Sequence, residues 1–101
     1  MLSEQVRDRY HNRSLATVND HEIRMSVMTE QFRWHHHPDS DETFIGVDGG
    51  LVIEVDGQEI VLHTGEVVTI PKGVRHRTRP EGARSVNLTF ERQGAATVFD
   101  E

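Results

Sequence analysis

Apolar and polar residues alternate with a period of two from about Ile23 onward. Ile23, Met25 and Val27 alternate with Arg24, Ser26 and Met28, and Phe32 and Trp34 alternate with Arg33 and His35. Further short runs follow at Thr43–Val47, Leu51–Val55, Gln58–Leu62, Glu66–Ile70 and Ser85–Phe90, rich in β-branched and aromatic residues. Each is bounded by turn chemistry, as half-buried strands are. Asp56-Gly57 sits between two such runs and predicts a tight hairpin, because Gly accepts the positive φ these turns demand. Asp48-Gly49-Gly50, Thr64-Gly65 and Pro71-Lys72-Gly73 mark three more turns. Near the start, Leu2, Val6 and Tyr10 fall four apart and predict a short N-terminal helical turn. Closely spaced strands with no helical pattern between them predict an all-β body, an antiparallel sandwich or barrel.

A chain of 101 residues suits one domain over 1–101, with no internal repeat and no linker. Eleven Lys and Arg against seventeen Asp and Glu give a net charge of −6, which argues against nucleic acid or an anionic membrane as partner. Cysteine is absent, so disulfides and thiolate metal sites are excluded. With no signal-peptide pattern in Met1–Tyr10 and no apolar run near the ~18 residues a membrane helix needs, the expected location is the cytoplasm. Seven histidines remain, three of them consecutive at 35–37.

On an extended strand, side chains two apart point the same way, so His35 and His37 share a face and His36 points oppositely. Glu42 follows after Pro38-Asp39-Ser40-Asp41, a stretch that reads as a turn able to bring it to the same space. Two imidazoles and a carboxylate suit a first-row divalent ion. Read as surface histidines beside Trp34, the pair would leave Glu42 without an explanation.

His35-Xaa-His37, four residues, Glu42, then six residues to Gly49 resembles the first cupin motif, over about 29–49. Gly65, five residues to Pro71, then Gly73 and two residues to His76 is similar to the second, over about 65–80. Thr29 and Pro80 depart from that pattern at turn or strand-end positions, where the motifs often carry Gly and Asn. The resemblance, closest to small mannose-6-phosphate-isomerase-like cupins, implies a double-stranded β-helix, or jelly-roll barrel. It implies that His35, His37, Glu42 and His76 point inward around one divalent transition metal: Fe, Mn, Zn, Ni, Co or Cu. Such a site leaves positions open to water or a small-molecule ligand.

Arg33 shares the parity of His35 and His37 and is a candidate to hold a substrate anion at the barrel mouth. Phe44 and Gly46 share the parity of Glu42, with Phe44 a candidate apolar wall for the substrate. Phe32 and Trp34 fall on the face away from the histidines, and an inward His76 sends Arg75 and Arg77 outward. Glu54 and Glu66 cannot be oriented from their strands alone, so no general acid or base beyond the ligands is identified. A metal-dependent enzyme of isomerase, lyase or dioxygenase type acting on a small polar metabolite is the leading reading. A non-catalytic metal- or ligand-sensing barrel is the alternative; sensors of this fold usually carry a DNA-binding domain, for which the chain has no room. Apolar residues outside the ligand face (Leu2, Val6, Phe32, Trp34 and Phe99) predict a homodimer, with Ala95–Phe99 adding a strand across its interface.

Overall fold

The computed structural model describes residues 10–100. Ten strands follow in order: β1 (Tyr10–Val18), β2 (His21–Met28), β3 (His35–His36), β4 (Glu42–Asp48), β5 (Leu51–Val55), β6 (Gln58–Leu62), β7 (Val67–Ile70), β8 (His76–Pro80), β9 (Ser85–Arg92) and β10 (Val98–Phe99). They form two five-stranded sheets, ordered β1-β2-β9-β4-β7 and β10-β3-β8-β5-β6, with every pairing antiparallel. This is the predicted all-β double-stranded β-helix. No helix occurs among the described residues.

The Asp56-Gly57 hairpin forms where the sequence places it, with Val55 opposite Gln58 and Gly57 at φ 74°. Two other glycines are fixed by their surroundings. Gly49 adopts φ 81°, and a Cβ there would sit 1.9 Å from the Arg84 carbonyl oxygen. At Gly46 a Cβ would meet the His63 carbonyl oxygen at 2.2 Å. Gly46 therefore lies beneath the β6–β7 turn, which it binds through Gly46 N–H to Glu66 O and Gly65 N–H to Gly46 O. It does not line the cavity.

One expectation lies mostly outside the described residues and another fails. Tyr10 opens a long strand paired with β2, while Leu2 and Val6, the rest of the expected helical turn, lie outside the described residues. Residues 31–34 are irregular, and the predicted Phe32–His35 strand shrinks to His35–His36. Strand parity consequently stops applying before His35.

Between the sheets, Met28, Phe44, Leu51, Ile53, Leu62 and Ile70 form the main core. A second cluster of Met25, Val27 and Val86 covers the opposite face of β2 and β9. The inward side of those two strands carries polar residues instead: Glu22, Arg24 and Ser26 on β2, and Asn87, Thr89 and Glu91 on β9. The barrel thus has an apolar closed end and a polar, hollow one.

Candidate metal centre

The four predicted ligands converge at the junction of the two halves. His35 and His76 are cross-strand partners on β3 and β8, with ring centroids 4.4 Å apart. His37 leaves β3 and is fixed by Gly73 N–H, which donates to its carbonyl at 2.8 Å. Glu42 opens β4 from the other sheet. All four are buried, His76 to 1% exposure, and one donor atom from each lies within 4.8 Å of the others.

Backbone carbonyls set the direction of each imidazole. His35 Nδ1–H donates to Arg33 O at 2.7 Å, His76 Nδ1–H to Val74 O at 2.9 Å, and His37 Nδ1–H to Ala96 O at 3.0 Å. Each ring is thereby left with Nε2 turned to the centre, and outer hydrogen bonds of this kind are what hold metal-ligating histidines in place. The Nε2 atoms of His37 and His76 both approach Glu42 Oε1 at 3.1 Å.

Burial lowers the His35 pKa to about 4, which leaves a neutral ring with a free lone pair. For His37, burial pulls the pKa down, but the hydrogen bond and charge of Glu42 overcome it and raise it to about 9. For Glu42, burial pushes upward and is outweighed by the hydrogen bonds from His37 and His76, giving about 2. A buried ionised carboxylate, a neutral imidazole and an imidazolium that becomes a donor on releasing its converging Nε2 proton make a set that would fit a divalent first-row ion.

The centre opens into a cavity of about 510 Å³. Phe32 and Phe99 line it from the side of one sheet, Asn12, Glu22, Arg24, Thr89 and Glu91 from the other, with Phe44 beside Thr89. Phe44 stands where the sequence places it, edge-on to His76 at 6.0 Å. Arg33 does not line this cavity. Its guanidinium lies over Phe99 and donates to Asp100 O at 3.2 Å, beside a separate surface groove. Phe32 does the reverse, turning inward to meet His35 edge-on at 5.1 Å. Both corrections share one cause: the segment carrying these residues is not extended strand.

Trp34 points outward, stacked with Arg75 at 3.9 Å and Arg77 at 4.8 Å. His36 is not on the cavity wall. Glu54 is engaged by Arg77 and Arg79, and Glu66 by His63, so neither carboxylate faces the cavity. Within the chain, Val98 and Phe99 of the C-terminal segment pair with His36 and His35 and form the edge of their sheet.

The residue that sequence reasoning missed is Glu91. It is the cross-strand neighbour of Glu42, lines the cavity, and has a buried Oε2 with no protein hydrogen-bond partner. Burial first, and the Glu42 charge next, raise its pKa to about 7. The signal was the run Ser85, Asn87, Thr89, Glu91, polar at every second position of an otherwise apolar strand.

Comparison with known proteins agrees with this architecture. The chain is 44% identical to the uncharacterized protein YdbB of Bacillus subtilis (strain 168), over 99% of this chain and 88% of that one. It is 29% identical to the quercetin 2,3-dioxygenase of the same organism, over 64% of this chain but only 19% of the enzyme. The crystal structure of a cupin-2 domain containing protein from Shewanella frigidimarina NCIMB 400 superposes with a TM-score of 0.82 at 31% identity. That match covers 89% of this chain and 87% of the other. The cupin domain family model matches residues 17–90, a span that contains the whole ligand set, and the chain belongs to the cupin family.

Proposed function

We propose that this cupin is a metal-dependent enzyme of isomerase, lyase or dioxygenase type, acting on a small polar metabolite held in the cavity. The observation that carries the reading is the buried four-residue donor set, its imidazoles pre-aimed by backbone carbonyls, at one wall of a ligand-sized cavity. A bound ion would supply Lewis-acid or redox chemistry at that wall. The chain's own residues supply the rest. Glu91, poised near neutrality beside the ligands, can take or return a proton at Oε2. Phe32 and Phe99 keep bulk water from one side of a bound molecule, and Phe44 supplies an apolar surface beside Thr89.

Glu91 favours an enzyme over a passive binder, since the sequence reading lacked an acid–base group besides the ligands. The quercetin 2,3-dioxygenase relative supports oxygen chemistry as one member of the set, over a shared segment only. A cytoplasmic homodimer completes the proposal, and light scattering at tens of micromolar tests the dimer, a monomer refuting it.

The reaction is tested by loading separate samples with iron(II), manganese(II) and zinc(II) and screening small hydroxylated and keto metabolites. Oxygen uptake and product formation are followed together. Turnover with one metal, lost in Glu91→Gln and in His76→Ala, is the expected result. Stoichiometric binding without turnover by any metal form would replace the enzyme with the non-catalytic barrel.

A further inference from the structure

Two neighbouring inward positions of β9 carry polar atoms that none of the described residues satisfies. Thr89 is 4% exposed and its Oγ1 has no hydrogen-bond partner; neither has the buried Glu91 Oε2. Both residues line the cavity, and register places Glu91 beside Glu42 and Thr89 beside Phe44. Buried polar groups are paired in nearly all proteins, and unpaired ones on a cavity wall are ready to receive a ligand. In its ionised form the Glu91 carboxylate only accepts, and the counterpart that matches it is a donor.

The charges around the cavity narrow the choice further. Glu22 and Glu91 face it together with Glu42, and among the described residues the one cation on that wall, Arg24, already donates to Glu22 at 3.2 Å and to Asn12. Away from the centre, an anionic substituent would meet carboxylates with no unengaged guanidinium among the described residues to offset them. Opposite this wall stand the rings of Phe32 and Phe99, their centroids 5.7 Å apart, with Phe44 nearer His76. Aromatic side chains grouped in this way favour a flat, apolar body.

We infer that Thr89 and Glu91 form a recognition subsite for an uncharged ring compound bearing adjacent hydroxyl groups. One oxygen reaches the metal centre, the next hydroxyl donates to Glu91 Oε2 and accepts from Thr89 Oγ1–H, and the ring lies against the phenylalanines. This rests on the metal reading of Proposed function and names the substrate class for that site. It departs from a phosphorylated sugar, whose anionic group finds no unengaged cation among the described residues of this wall.

The test uses cobalt(II)-loaded protein, with catechol (benzene-1,2-diol) as the probe, 2-methoxyphenol as the probe with its second hydroxyl capped, and inorganic phosphate as the anion. Binding is read from the cobalt visible spectrum and by calorimetry. A hydrogen bond to a charged group is worth roughly tenfold or more in affinity. Glu91→Gln should therefore weaken catechol by about tenfold or more while changing 2-methoxyphenol by less than about threefold. Thr89→Val, which keeps the side-chain shape, provides a second variant and should weaken catechol in the same selective way. Equal losses for both phenols, no loss in either variant, or phosphate binding tighter than catechol would overturn the subsite. Failure of the wild-type protein to take up cobalt would instead overturn the metal reading, and this inference with it.

Discussion

His37 links metal binding to pH in a way that can be worked through. Its Nδ1–H donates to Ala96 O and its Nε2 faces Glu42 Oε1 at 3.1 Å, an arrangement that requires both nitrogens to be protonated. The pairing raises its pKa to about 9. A metal must take the Nε2 lone pair, so binding below pH 9 expels one proton from this ring. Glu42 at about 2 and His35 at about 4 are already deprotonated at neutral pH and add nothing to the slope. Apparent affinity should then rise about tenfold per pH unit from His37, or roughly 100-fold between pH 6.5 and 8.5, about 2.7 kcal/mol. An unperturbed histidine would flatten near pH 7, and persistence of the slope to 8.5 is the diagnostic feature. Competition against a fluorescent zinc chelator at several pH values measures it. In Glu42→Gln the slope should vanish above about pH 7, because an uncharged amide no longer holds the imidazolium. A flat wild-type profile above pH 7, or an unchanged slope in the variant, would refute the coupling.

Glu91 predicts an opposite dependence for the stability of metal-free protein. Its folded pKa of about 7 lies above the ordinary carboxylate value of 4.5, so the folded state binds the extra proton. Its contribution is most favourable below pH 4.5 and is lost as pH rises through 7. Glu91→Gln should raise the melting temperature at pH 8 relative to wild type but not at pH 4.5, and an equal shift at both would contradict this. Gly46→Ala forces a methyl into the His63 carbonyl, and a clash with backbone should destabilise by roughly 1–3 kcal/mol in urea unfolding. A variant as stable as wild type would show that the turn is not so closely packed. Removing the chain after Gln93 deletes the Ala96 carbonyl that orients His37 and the β10 partner of β3. Metal affinity should fall by about 10–100-fold in the truncated chain, as for other losses of outer-shell support, and unchanged affinity would refute that role.

Most of the ligand set was legible because metal chemistry constrains spacing tightly. His35 and His37 needed only strand parity, and the two motifs added Glu42 and His76. The Asp56-Gly57 hairpin was legible because its turn chemistry is local. Arg33 and Phe32 were misplaced because parity was extended across residues 31–34, where tertiary contacts such as Phe32 N–H to Thr78 O replace strand geometry. On β9 the alternation was visible but its sense was not. Apolar residues normally face inward, yet this hollow end turns Asn87, Thr89 and Glu91 to the cavity and buries Val86 on the outer face. Only long-range packing could show which side encloses the cavity, and that packing decides where Glu91 points.

The central claim is that His35, His37, Glu42 and His76 hold one metal ion. The direct measurement is elemental mass spectrometry on untagged protein, grown in rich medium and never exposed to a nickel column. Near one equivalent of a single divalent metal is expected, lost from His37→Ala and His76→Ala variants that still fold. No metal in the isolated protein, and none taken up on titration at pH 8.5, would contradict the claim.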